Sequence, residues 1–132
     1  MNMESGMERL GNDSFARHLG IKLTDMKPGY AQAMMEVKPE LLNGVNITHG
    51  GAIFSLVDIV IAAASNAHGP VALALNANIH FIKATKEGAI LTATAREESL
   101  TKKTGIYRVE VKDEHNNLIS LAEGLAYRPS VK

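Results

Sequence analysis

One histidine, two glycines and an aspartate have the types and spacing to do chemistry: His49-Gly50-Gly51 and, seven residues beyond Gly51, Asp58. Glycines leave backbone N–H groups uncovered by side chains. Where such a pair opens a helix, the first-turn N–H groups lack internal partners and the helix dipole is positive. That end suits a carbonyl oxygen gaining negative charge. Asp58 stands between Val57 and Ile59, where an ionised carboxylate is costly unless paired or kept near water. It is a candidate catalytic base, and a capped or water-bridged structural aspartate is the competing reading. Gly-Gly by itself can simply permit a tight turn into a helix.

The element that must position these groups is a long helix over residues 51–67, stopped by His68-Gly69-Pro70. Ile53, Phe54, Leu56, Val57, Ile59, Val60 and Ile61 point in nearly every direction around it. A helix apolar all round is buried on all sides. One curved sheet cannot cover every side, so a second subunit is the simplest cover. Gly51, Ser55, Asp58, Ala62 and Ser65 recur at spacings of four and three and form one small or polar stripe. Along this helix Gly51 and Asp58 lie roughly 10.5 Å apart at 1.5 Å per residue. A base must come within about 3 Å of its partner, or one water further. If both features serve one site, Asp58 comes from a neighbouring subunit. An antiparallel pair of helices would bring each Asp58 near the other's Gly50-Gly51.

The rest of the chain reads as support for that helix. Residues 1–12 are polar and rich in Gly, Asn and Met, and are expected to be flexible or weakly helical. Asp13 caps a short helix over 14–19, which Gly20 ends. Strands over 21–26 and 30–38 flank the Pro28-Gly29 turn, and Asn43-Gly44 marks a turn in the loop 41–49. After the helix the period changes to two, over 71–82, 89–100, 106–113 and 118–127. Short turns between these runs point to an antiparallel meander. Ser120, Ala122, Gly124 and Ala126 make one small face, suited to close packing on the helix. Residues 13–132 thus form one α+β domain, a curved antiparallel sheet around one long helix.

Composition narrows the function. The 132 residues carry 14 Lys plus Arg and 14 Asp plus Glu, so no net field gathers nucleic acid. With no Cys there is no disulfide, thiolate metal site or Cys nucleophile. The five His lack paired spacing on one element, so no metal site is expected. The most apolar run, residues 52–64, is shorter than the ~20 residues a membrane span needs and contains Asp58. The start of the chain shows no basic region followed by an apolar run. The expectation is a cytoplasmic protein that engages neither membrane nor nucleic acid.

Asn43-Gly44, His49-Gly50-Gly51 and Leu56-Val57-Asp58 together resemble the signature of hotdog-fold acyl-CoA thioesterases, in particular the phenylacetic acid degradation (PaaI-like) family. Phe15-Ala16-Arg17-His18-Leu19-Gly20-Ile21 resembles that family's opening helix and first strand, and Asn78-Ile79-His80-Phe81-Ile82-Lys83 its strand after the central helix. The resemblance spans residues 13–127. It implies a homodimer, paired again into a homotetramer, that hydrolyses an acyl- or aryl-acyl-CoA to free acid and coenzyme A. No cofactor is implied beyond the coenzyme A of the substrate. Asp58 matches the acidic residue that serves as general base or nucleophile. Gly50, with Gly51 beside it, matches the N–H that polarises the thioester carbonyl. His49 matches the histidine that positions the loop or the carbonyl, and Asn43 one that orients water or the acyl group, with Asn46 nearby. Some relatives carry Ser or Thr on the strand after the helix. The corresponding residue here is Ala74, with Asn76 on the same strand expected to substitute and Asn78 beyond it.

Lys83, Lys86, Lys102 and Lys103 lie at strand ends and turns and could meet the phosphates of coenzyme A. Met34-Met35 and Phe54 could line an acyl tunnel or fill the core. Two alternatives stand beside hydrolysis. One is a hydratase or dehydratase of enoyl or hydroxyacyl thioesters with His49 and Asp58 as acid and base. The other is a non-catalytic acyl-CoA-binding module.

Overall fold

The computed structural model describes residues 2–131. Helix α1 spans Met3–Gly11, α2 Ser14–Leu19 and the long α3 Gly50–Asn66; a short 3-10 turn covers Pro39–Leu41. The strands are β1 (Lys22–Lys27), β2 (Tyr30–Glu36), β3 (Leu73–Phe81), β4 (Ile90–Leu100), β5 (Thr104–Lys112) and β6 (Leu118–Tyr127). They form one sheet in the order β1-β2-β4-β5-β6-β3, with every neighbouring pair antiparallel.

The inner face of the sheet is built for a helix to approach closely. Ala31 and Ala33 on β2 and Ala93 and Ala95 on β4 are all fully buried there. The small face of β6 expected from sequence is the part that meets α3: a Cβ on Gly124 would lie 2.5 Å from Cδ1 of Ile61. Tyr107, Val109 and Val111 on β5 and Met35 on β2 complete the core against Leu56, Val57, Val60 and Ile61 of α3.

Three expectations change. First, β3 does not open a meander with β4 but pairs with β6 at the far edge. The residues between β3 and β4 are held elsewhere, with Thr48 N–H donating to Thr85 O and Gly88 N–H to Val37 O. Second, residues 3–11 form a helix docked on the end of α3. Asn2 accepts from Ser5 N–H as its N-cap, and Arg9 donates to Asn66 Oδ1 (2.9 Å) and Gly69 O (2.7 Å). Third, the single chain covers its own central helix. The sheet wraps α3 while α1 and α2 flank it, and the apolar residues from Ile53 to Ile61 are buried apart from half-buried Phe54. What stays open is the small and polar stripe at Gly51, Ser55, Asp58 and Ala62; only Ser65 of that stripe is buried. The large exposed apolar side chains lie instead along and just beyond β3, at Leu73, Leu75, Phe81 and Ile82.

Candidate active site

The corner that leads into α3 is fastened by its own loops. Thr48 N–H donates to Thr85 O (2.9 Å), the two buried threonine hydroxyls lie 2.6 Å apart, and His49 N–H donates to Leu41 O (2.8 Å). Asn43 shapes the loop before it. Its Oδ1 accepts from Val45 N–H (3.0 Å) and Ile47 N–H (3.2 Å), an Asx-type arrangement that leaves only the amide Nδ2 for other work. Asn46 holds a left-handed φ of 63° in the same loop, which asparagine tolerates better than most residues.

His49 is the N-cap of α3. Its Nδ1 accepts from Gly51 N–H at 2.8 Å. This corrects the expectation that both glycine N–H groups stand open. A ring nitrogen that accepts carries no proton, so in this arrangement the imidazole is a neutral ring with its proton on Nε2. Ala52 and Ile53 N–H donate to His49 O. Gly50 N–H, by contrast, has no acceptor among the described residues. It lies beneath an aromatic ring: a Cβ on Gly50 would sit 3.1 Å from Cζ of Phe81, at the end of β3. One uncapped first-turn donor beside an apolar ring is a place where a carbonyl oxygen can be polarised away from bulk water.

Asp58 sits two turns along the unbroken helix, as the spacing required. Its recess is lined by Asp13, Phe15, Phe54, Ser55 and Ile59. It has no ion-pair partner among the described residues. Loss of hydration among these neighbours raises its pKa, and the charge of Asp13 raises it further. Ser55 does not satisfy it, because the Ser55 hydroxyl donates back to Gly51 O at 2.7 Å. Phe54 and Asp58 are therefore together, as are His49, Gly50 and Gly51. A second recess joins the two groups along the open stripe, bordered by Phe15, Leu19, Leu42, His49, Gly51 and Ser55.

Four sequence readings do not assemble with this site in one protomer. The register shifts between Ala74 and Asn76, so Ala74 faces inward with Ala126 while Asn76 pairs with Leu125 and Asn78 with Glu123. Paired residues share a face, and the bulge puts Asn76 and Asn78 on the outer face, away from α3. Asn76 therefore does not substitute at Ala74. Met35 is buried in the core and Met34 lies on the outer face, so the pair lines no tunnel. Lys102 and Lys103 turn at the end of β4 that lies by the C-terminus of α3, where His68 bonds Glu97 at 2.7 Å. Lys83 and Lys86 do lie near the α3 N-terminus. Lys83 follows Phe81 by two residues, Lys86 follows Thr85 directly, and both are exposed. Among the described residues no group of three or more His, Asp and Glu converges as a metal ion would need.

Sequence reasoning passed over Phe81 and Asp13 as site residues. Phe81 acts through the β3–β6 register, which no local pattern announces. Asp13 was visible only as a helix cap, which it is: its Oδ1 accepts from Ala16 N–H at 3.0 Å.

A curved antiparallel sheet wrapped around one long helix is the hotdog fold, and the comparisons agree. Residues 45–120 match the thioesterase superfamily. A protein of Archaeoglobus fulgidus is 48% identical over 89% of this chain and 76% of its own length. Acyl-coenzyme A thioesterase PaaI of Escherichia coli K12 is 37% identical over 89% of this chain and 84% of its own. The solved structure of the E. coli PaaI protein from the phenylacetic acid degradation operon superposes with a TM-score of 0.92, at 32% identity, over 100% of this chain and 99% of that one. The chain belongs to the thioesterase superfamily, and it is a thioester hydrolase of the PaaI-like group.

Proposed function

We propose that this enzyme hydrolyses acyl- or aryl-acyl-CoA thioesters in a site shared between two subunits. The family and the E. coli relative named as an acyl-coenzyme A thioesterase support the substrate class. The observation that carries the site is the pairing of two unsatisfied groups on one helix, the open Gly50 N–H and the unpaired Asp58. They are too far apart along α3 to act on one carbonyl from one chain.

The edge strand β3 supports the second subunit. It presents an unpaired backbone row with Leu73, Leu75 and Phe81 exposed along it, and Ile82 just beyond. Such an edge invites another strand. A two-fold copy seated there continues the sheet and runs the two α3 stripes antiparallel, each Asp58 toward the other chain's Gly50. Two such dimers then form the tetramer.

In the reaction the Gly50 N–H of one chain takes the thioester carbonyl oxygen. Asp58 of the other removes a proton from water as it attacks the carbonyl carbon. The oxyanion that forms stays on the Gly50 N–H, and the C–S bond breaks to release coenzyme A as thiol and the acyl group as acid. The raised pKa of Asp58 suits a base, since proton transfer is most effective near the working pH. His49 holds Gly51 and turns its Nε2–H outward toward the carbonyl. Phe54 borders the acyl carbon, and Lys83 is placed for the phosphates. The test is free-thiol release from short, long and aromatic acyl-CoAs. Wild type turns over and Asp58→Asn loses at least ~10²-fold in kcat; a variant within a few-fold of wild type removes Asp58 from the mechanism.

A further inference from the structure

The Asp58 recess does not end at Asp58. Behind it lies a separate cavity of about 230 Å³ between α1, α2, β1 and α3, lined by Met7, Leu10, Ala16, Ile21, Leu23 and Ile59. Asp13 and Ile59 line both spaces, so the two adjoin at the carboxylate. The polar groups at its rim are committed elsewhere. Asp13 Oδ1 caps α2, and Arg17 donates to Gly11 O (2.6 Å) and Ser14 Oγ. The interior is left apolar.

Helix α1 is seated to form one wall. Gly6 and Arg9 face the end of α3, where a Cβ on Gly6 would lie 2.1 Å from Asn66 O and Arg9 makes its two hydrogen bonds. Met7, Leu10 and Gly11, spaced three and four apart, line the cavity instead. Met7 and Leu23 are partly exposed, so the pocket has an outer opening. An apolar cavity of about 150 Å³ is enough to hold benzene.

We propose that this cavity receives the acyl end of the substrate, selecting thioesters of medium-length aliphatic or phenyl-bearing acids. The proposal rests on the acyl-CoA reading above and extends it, because it makes α1 the specificity element. A thioester attacked at Asp58 has its acyl chain directed past Ile59 into this space, and each buried methylene raises affinity about 4-fold. Filling the outer opening with Met7→Trp or Leu23→Trp shortens the space.

Two measurements test this, and they separate its failure from that of the parent reading. The first is kcat/KM for acetyl-, hexanoyl-, octanoyl- and 3-phenylpropanoyl-CoA. Wild type should rise with acyl size, and each Trp variant should lower the octanoyl-to-acetyl ratio at least ~10-fold; an unaltered ratio in both variants overturns the proposal. The second needs no turnover. With methyl-labelled methionine, octanoate or 3-phenylpropanoate should shift the Met7 methyl resonance in wild type, and the binding that a parallel titration reads should weaken in Leu23→Trp. Failure of both acids to move the Met7 signal overturns the proposal, whatever the enzyme hydrolyses. A moved Met7 signal together with no hydrolysis of any acyl-CoA supports the pocket and contradicts the hydrolase reading alone.

Discussion

Asp58 and Asp13 face one recess, and their charges oppose each other there. A base works only when ionised, so kcat/KM should fall with decreasing pH along a limb lying above the ordinary aspartate range. Asp13→Asn keeps the α2 cap, because Asn caps as well as Asp, and it removes the charge. The limb should then move to lower pH while staying above the ordinary range, since desolvation remains. A limb unmoved in a pH–rate profile would mean that Asp13 does not act on Asp58. His49 separates two roles in a similar way. His49→Ala should lose the α3 cap, about 1 kcal/mol of stability. His49→Asn should restore Tm but leave kcat low, because Asn caps Gly51 without offering an Nε2–H. Recovery of both would reduce His49 to a cap. At this scale the sequence was most informative where geometry is local. The Gly50 and Asp58 separation follows from helix rise alone, whereas Phe81 over Gly50 depends on a strand far along the chain.

The elements were legible where punctuation was strong. Asp13 and Gly20 bound α2 as read, with Gly20 in the left-handed region at φ 74°, and Gly29 turns β1 into β2 at φ 76°. The position of β3 was not legible. Its period of two is compatible with pairing to β4 or to β6, and only the docking of the following loop against Thr48 and Val37 decides. The bulge between Ala74 and Asn76 was equally hidden, and one extra residue carried Asn76 and Asn78 to the wrong face. Helix α1 reads as weak because Gly6 and Gly11 lower its propensity, yet Gly6 is what lets it dock. In an isolated helix Gly6→Ala would stabilise by up to about 1 kcal/mol. Here its Cβ meets a backbone oxygen, so Gly6→Ala should instead lower Tm and speed hydrogen exchange in residues 3–11. Unchanged exchange there would show that α1 does not depend on this contact.

On the scale of the whole molecule, one chain encloses its core but leaves an apolar strand edge and an incomplete catalytic set. Sequence argued for a partner from the apolar circumference of α3. The folded chain moves that argument to β3, with Leu75 62% exposed in the single chain. Leu75→Lys should therefore lower the mass seen by sedimentation to that of one chain, and hydrolysis should disappear with it; a variant that stays dimeric or larger would exclude this edge as the interface. The most direct test uses two inactive variants. Asp58→Asn lacks the base, and Gly50→Pro lacks the N–H at a first-turn position that tolerates proline. Co-expressed in equal amounts, half of the dimers are mixed. Each mixed dimer has one intact site of two, so about a quarter of wild-type activity should return under two-fold symmetry. Activity no greater than that of the two variants measured apart would contradict a site shared between chains.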